Sequence, residues 1–358
     1  MRFDEMPCFF LGANAPKGYY SRFDQLFSSA PEGKCYLLKG GPGTGKSTVL
    51  KKTAEILGRE NLSTELIYCS ADINSLDAII ADEGKFVMAD ATLPHSVEPK
   101  YPGIYETTVS LCDCWDEEKL REHRKKAAAL FDENRRLHEQ GRRYISAAAS
   151  LLDEAQKLGN LALNQEKTAR AALRICLREF GRKQHKSGTE KIRFLSAVSE
   201  KGVFFFDKTA KILCDKIYVI DDDCGAAAKT FMSTVRKTAL EHGLDIISCR
   251  CSIFPAEKTE HIFIPNLRLG FMTKNRRHNF EILPFRTIHA KRFYDEKIYS
   301  RHKARMKFAL RCASAIIAKA SECMAEAKKV HDELEKIYID AMDFSKVDSI
   351  TEKIFAGI

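Results

Sequence analysis

The chain has 358 residues, 44% hydrophobic and 30% charged, with 58 Lys and Arg against 49 Asp and Glu for a net charge of +9. That apolar share excludes a mainly disordered chain, and the length corresponds to roughly two domains. The basic balance points to acidic partners such as nucleotides, nucleic acid or anionic lipid without choosing among them.

The first residues, Met1-Arg2-Phe3-Asp4-Glu5, carry acids where a secretory leader has its basic and apolar regions. No apolar run approaches the ~18 residues of a membrane-spanning helix. Twelve cysteines are scattered without a Cys-x-x-Cys, so a reduced, cytoplasmic protein with no membrane association is expected. The Cys112/Cys114 and Cys249/Cys251 pairs lack a second pair at zinc spacing. Cys35, Cys69 and Cys249 read as small apolar residues of buried strands.

The strand Cys35 to Leu38 runs into Gly40-Gly41-Pro42-Gly43-Thr44-Gly45-Lys46-Ser47-Thr48, which fits the phosphate-binding pattern G-x-x-x-x-G-K-S/T in full. A helix follows, its apolar stripe formed by Val49, Leu50, Thr53, Ile56 and Leu57. Glycines let polyphosphate approach the backbone, and the amides at the helix start face it. Lys46 is expected on the β- and γ-phosphates of ATP, Ser47 on Mg²⁺, and Thr48 on the α-phosphate. The sheet is expected to be parallel, with two strands after this helix, one ending near Asp72 and one at Asp90. Asp90 directly follows an apolar run and is the expected Mg²⁺ acid; Asp72 is the alternative. Ala91-Thr92 stand where such sites often carry a water-activating Glu, so slow hydrolysis is expected. In the proline-rich loop that follows, His95, Glu98 or Lys100 is placed to sense phosphate or to serve structure alone.

Asp116 opens a helical run to about Leu158, with a break at Gly159-Asn160 and a second helix from about 161 to 180. Arg121, Arg124, Arg135 and Arg136 lie on this stretch. The polar segment 181–191 separates two halves, 1–185 and 186–358.

The second half echoes the first. Phe10-Leu11-x-Ala13-x-x-x-Lys17-Gly18 matches Phe194-Leu195-x-Ala197-x-x-x-Lys201-Gly202 at a spacing of 184. Lys46-Ser47 matches Lys229-Thr230 at 183, and the same 183 aligns Ile79-Ile80-Ala81 with Ile262-Phe263-Ile264. The second phosphate loop is broken: Ala226 and Ala228 replace Gly43 and Gly45, Asp221, Asp222 and Asp223 crowd it, and Thr273 replaces Asp90. A long helix opened by Asp295 closes this half. The net charge sits here, with twelve Lys or Arg against three acids in 274–311. This segment is a solvated face or a surface for nucleic acid or an acidic protein.

With the Ala13-x-x-x-Lys17-Gly18 entry, the complete loop at 40–48, the Asp90-to-Gly103 segment and the Asp332-Glu333-Leu334-Glu335 and Ala341-Met342-Asp343-Phe344 ending, the chain resembles a little-characterised bacterial family of duplicated P-loop ATPases. The resemblance implies nucleotide binding and typically a phosphate loop in each half. The expected fold is α/β: a tandem duplication of three-layer P-loop NTPase-like domains, each a parallel sheet flanked by helices with a long helical hairpin. The expected function is ATP binding with slow Mg²⁺-dependent hydrolysis as a switch, the second half regulatory or scaffolding. A small-molecule kinase and a nucleotide-regulated nucleic-acid-binding protein are the alternatives.

Overall fold

The computed structural model describes residues 2–27, 33–278 and 280–356. Its first half contains β1 (Cys8–Phe9), β2 (Gly12–Ala15), β3 (Gly18–Ser21), β4 (Lys34–Lys39), α1 (Lys46–Arg59), β5 (Thr64–Tyr68), β6 (Leu76–Ala81), β7 (Phe86–Asp90) and β8 (Glu106–Ser110). Three helices follow, α2 (Glu117–Glu122), α3 (Arg124–Ala162) and α4 (Gln165–Glu179). The second half runs β9 (Glu190–Arg193), β10 (Ser196–Ser199), β11 (Gly202–Phe205), α5 (Asp207–Leu213), β12 (Lys216–Asp221), α6 (Ala226–Glu241), β13 (Ile246–Arg250), β14 (Thr259–Ile264), β15 (Leu269–Lys274) and β16 (Arg286–His289). It ends in α7 (Glu296–Ala341) and α8 (Phe344–Phe355).

Each half carries a six-stranded sheet. The orders, β1-β5-β6-β7-β4-β8 and β9-β13-β14-β15-β12-β16, match strand for strand. The sheets are mixed, where a parallel sheet was expected, because β6 and β14 run antiparallel to both neighbours. The reason lies in the connections. The links from β5 to β6 and from β6 to β7 are too short for the crossover a parallel pair requires, so the chain folds back as hairpins.

Strand residues alternate between two cores. Leu37, Ile67, Ile80 and Val87 of the first sheet and Val219, Ile247, Phe263 and Met272 of the second belong to one shared cluster, which also holds Phe23, Leu26 and Ala210. On the other face, Leu38, Leu66, Ile79 and Met88 pack with Val49 and Leu50 of α1 and with Val347 and Ile354 of α8. Tyr218, Ile220 and Phe271 pack with Phe231 and Val235 of α6 and with Ala172, Ile175 and Cys176 of α4. Helices α1 and α8 cover one face of the first sheet and α4 and α6 one face of the second, and the opposite faces share a core that also holds the short α5; the three-layer expectation placed flanking helices on both faces. Burial of this kind contributes about 25 cal/mol per Å² of apolar surface, the main term holding the halves together.

The halves also exchange backbone bonds at matched positions. Phe10 N donates to Phe194 O at 2.8 Å, and Phe194 N to Phe10 O at 2.9 Å. Cys8 N donates to Thr209 Oγ1 at 2.9 Å, and Ile192 N to Gln25 Oε1 at 3.2 Å.

The long helices cross between halves. α3 and α7 run antiparallel, fixed by Arg305 to Glu154 at 2.6 Å and by Asn134 Nδ2 to Ala327 O at 2.8 Å. Their seam repeats at helical spacing through Ile145, Ala148, Leu152 and Ala155 against Ala309, Ala313, Ile317 and Ala320. The hairpin expected within each half is thus formed between the halves. Each helix then delivers its successor to the other sheet: α4 of the first half packs on α6, and α8 of the second half packs on α1. Gly159 does not break α3 as expected. It lies inside the helix, where a Cβ would stand 2.6 Å from Cys224 Sγ, so glycine serves close approach. Among the described residues no helix is long and apolar enough to cross a membrane.

Candidate functional site

The loop between β4 and α1 holds Gly43 at φ +69° and Gly45 at φ +89°. Residues with a Cβ enter this left-handed region only with strain, so both positions need glycine. Gly45 caps the 14-residue α1, whose first amides have no partner within the helix and face the loop. Lys46 is largely buried and folds across this concavity, its Nζ donating to Gly40 O at 2.9 Å and Gly41 O at 2.6 Å. Thr44 Oγ1 donates to Gly41 O at 2.9 Å, tightening the turn. Ser47 Oγ accepts from Leu76 N at 3.0 Å, and Thr48 is exposed.

Asp90 ends β7, parallel to β4 and opposite Leu38. Its Oδ1 accepts from Thr92 N at 2.9 Å and Thr92 Oγ1 at 2.5 Å, which leaves Oδ2 3.7 Å from Lys46 Nζ. Asp72 is drawn elsewhere: its carboxylate pairs with Lys328 of α7 at 3.2 Å. The structure thus brings Gly40, Gly41, Pro42, Gly43, Thr44, Gly45, Lys46 and Ser47 together with Asp90, and not with Asp72. Two charged groups, a helix start and an open backbone nest at a strand's carboxyl end suit a polyphosphate with its metal ion.

The three loop residues separate. Glu98 pairs with Lys39 at 2.7 Å and is exposed, and Lys100 lies over the Phe27 ring. His95 is buried, with Nε2 3.1 Å from Asp77 Oδ2 and Nδ1 2.9 Å from Tyr19 Oη. Burial opposes charge on His95, but Asp77 raises its pKa well above the ordinary imidazole range.

Nothing in the sequence indicated that the last turns of α7 and the start of α8 lie over the glycine-rich loop. A Cβ on Gly43 would stand 2.7 Å from Glu335 O, one on Gly41 2.5 Å from the Tyr338 ring, and one on Gly45 3.6 Å from Phe344. His331 foremost, followed by Lys328 and the Gly43 N–H, holds the Glu335 carboxyl below its usual range against the effect of burial. Only the length and antiparallel pairing of α7 place these residues, and both are tertiary properties.

The second loop is built otherwise. α6 begins at Ala226, three residues before Lys229, so Ala226, Ala227 and Ala228 are helical. Gly225 is left alone at φ +79°. Asp222 takes the helix start: Ala228 N donates to its Oδ2 at 2.9 Å and Tyr294 Oη to its Oδ1 at 3.0 Å, while Ala227 N donates to Tyr294 Oη at 3.0 Å. Burial first, and then Asp222 and Cys224, push the Tyr294 hydroxyl far above its ordinary range, which keeps it a donor. Lys229 and Thr230 line a polar cleft on the flank of α6 with Asn160, Arg236 and Arg250.

In the basic segment, Arg276 faces Asp223 at 3.7 Å and Arg277 faces Glu260 at 3.2 Å. Lys297, Arg301, Lys303, Lys307 and Arg311 of α7 are exposed. Arg121, Arg135 and Arg136 pair with Glu117, Asp132 and Glu133 of their own helices, on exposed faces.

No family model matches the chain, and neither a curated protein nor a solved structure shows significant similarity to it.

Proposed function

We propose that this chain is a tandem duplication of P-loop NTPase-like units that binds ATP at 40–48 and hydrolyses it slowly, acting as a switch. The carrying observation is the conjunction at one strand end: two left-handed glycines, Lys46 across the loop carbonyls, and Asp90 at 3.7 Å on the adjacent parallel strand. The identical strand order of the two sheets supports the duplication.

Lys46 and the amides of the loop and of α1 bind the phosphates, Lys46 turning from the loop carbonyls to the ligand. Ser47 and Asp90 would hold Mg²⁺, which when bound neutralises charge between the β- and γ-phosphates. The last turns of α7 overlie the same loop, so nucleotide and α7 compete for one space. Binding is thereby linked to the α3–α7 pair, and through α4 and α8 to both sheets. The second half serves as scaffold and transmitter, with Asp222 and Tyr294 filling the place of an anion. The exposed cations of α7 are the surface for an acidic partner. Arg121, Arg135 and Arg136, paired within their own helices, do not favour the small-molecule kinase, which would need arginines of this stretch to close on the phosphates.

ATP binding and turnover by the wild type, Lys46→Ala and Lys229→Ala test this reading. Loss in Lys46→Ala alone is expected. Absence of ATP binding by the wild type, or loss in Lys229→Ala only, overturns it.

A further inference from the structure

Just after β5, on β6 and after β7, Cys69, Asp77 and His95 each offer one ligand atom, and these lie within 4.8 Å of one another. Asp77 is 4% exposed and His95 6%. The imidazole is fixed from three sides. Tyr19 Oη holds Nδ1 at 2.9 Å, Phe23 stacks on the ring at a centroid distance of 4.6 Å, and Nε2 points at Asp77 at 3.1 Å. Gly12 makes room for this arrangement, since a Cβ there would lie 1.6 Å from the Tyr19 hydroxyl.

The second half holds a related but different set, in which Glu260, His261 and His278 bring ligand atoms within 4.8 Å of one another. Glu260 and His278 stand 183 residues beyond Asp77 and His95. Cys251 matches Cys69 by its backbone bond: Cys69 N donates to Ser75 O at 3.0 Å, and Cys251 N to Lys258 O at 2.9 Å. His278 Nδ1 lies 3.1 Å from Glu260, and Ser196 Oγ holds the other ring nitrogen at 2.9 Å. There, however, two fixed cations neutralise the buried acid, Lys258 at 3.1 Å and Arg277 at 3.2 Å from Glu260 Oε1. The first-half positions matching Lys258 and Arg277 are Ser75 and Pro94. Among the described residues, His95 is the sole ion-pair partner of Asp77. Asp77 thus has one ion-pair partner where Glu260 has three. The same pocket offers a thiol and an imidazole.

From this comparison we infer that Cys69, Asp77 and His95 form a binding site for one divalent metal ion of the zinc class, which takes the place of the two cations of the second half. Sulfur, nitrogen and carboxylate donors together suit Zn²⁺, Co²⁺ or Fe²⁺ rather than Mg²⁺ or Ca²⁺, and three protein ligands leave a fourth position for water. Tyr19 orients the ligating ring through its free nitrogen. The site shares no residue with the glycine-rich loop, Ser47 or Asp90.

Titration of Co²⁺ into the chelator-treated full chain tests the site through the thiolate-to-cobalt charge-transfer absorption. One equivalent is expected in the wild type and in Lys46→Ala and Cys251→Ala, no charge-transfer band in Cys69→Ala, and about 10- to 100-fold weaker binding in Asp77→Asn and His95→Ala. A wild type without the band, or a band that survives Cys69→Ala, overturns the inference. Alkylation of the unmutated chain, mapped by mass spectrometry, is independent of how the variants fold. One equivalent of Zn²⁺ is expected to protect Cys69 selectively, and equal labelling with and without Zn²⁺ overturns the proposal.

Discussion

The loops at 40–48 and 223–230 leave equivalent strands, each second from one edge of its sheet, and run into equivalent helices, yet they reach opposite ends. In the first, two left-handed glycines delay the helix until Lys46 and leave its amides open. In the second, alanines have joined the helix, Asp222 caps it, and Tyr294 closes over it. The difference teaches that the amides of a helix start stay open where ordinary capping is withheld. Once a carboxylate from the same loop satisfies them, the helix gains a turn and they no longer face a ligand.

The sharpest way to break this comparison is at the two lysines. Lys46→Ala is expected to weaken ATP binding and turnover by about 100-fold or more, the scale of one transition-state contact to a phosphate. Lys229→Ala is expected to change either by less than about twofold, measured by calorimetry and single-turnover hydrolysis. Equal losses would mean that both loops bind nucleotide.

The same asymmetry was half legible in the sequence. The glycines, Lys46 and Asp90 follow local rules: a strand, a turn that needs positive φ, a helix start and an acid after four apolar residues. The closing of the second loop showed in Ala226 and Ala228. What could not be read was anything set by tertiary pairing. Asp77 looks like one polar residue in an apolar run, and only the β6 hairpin brings it to His95. Glu335 and Tyr338 belong to a long charged helix, and only its pairing with α3 carries them over Gly41 and Gly43. Gly159 reads as a helix end until Cys224 is seen against it.

A second contrast separates the exchanged helices. α4 is tied to the second sheet by Glu179, which accepts from Lys216 Nζ and from Tyr218 Oη, each at 2.6 Å. Among the described residues, α8 is tied to the first half by no ion pair but the exposed Lys52–Asp348, worth little in water. Burial alone would raise the pKa of Glu179, but Lys216, Tyr218 and Arg178 bring it down to about 2. A depressed carboxyl pKa contributes stability above the unfolded value near 4.5, and that contribution fades as pH falls toward 2. Glu179→Gln is therefore expected to cost roughly 2 kcal/mol at pH 7 and almost nothing at pH 2, followed by denaturant unfolding across that range. A cost that does not vary with pH would assign Glu179 to packing.

Tyr294→Phe sharpens the difference between the loops from the closed side. It removes one donor to Asp222 and the acceptor of Ala227 N–H, and is expected to cost about 1–3 kcal/mol in chemical denaturation. ATP affinity is expected to stay at the wild-type value, because Asp222 still caps Ala228. A second equivalent of bound ATP in this variant would show that Tyr294 alone closes the second site.

The smallest effect is expected where the first loop is itself covered. If α7 and nucleotide compete, measured affinity is the intrinsic affinity reduced by the fraction of molecules with α7 displaced. Glu335→Gln keeps the helix and its size but removes the charge facing His331 and the Gly43 N–H. Displacement becomes easier by a fraction of a charged hydrogen bond, so ATP is expected to bind about three- to tenfold tighter in calorimetry. Hydrogen exchange in 331–341 is expected to rise in the variant and in the wild type with ATP. Weaker binding would carry the opposite meaning. α7 would then complete the nucleotide site rather than cover it, and the first loop would owe its openness to the second half's helix as much as to its own glycines.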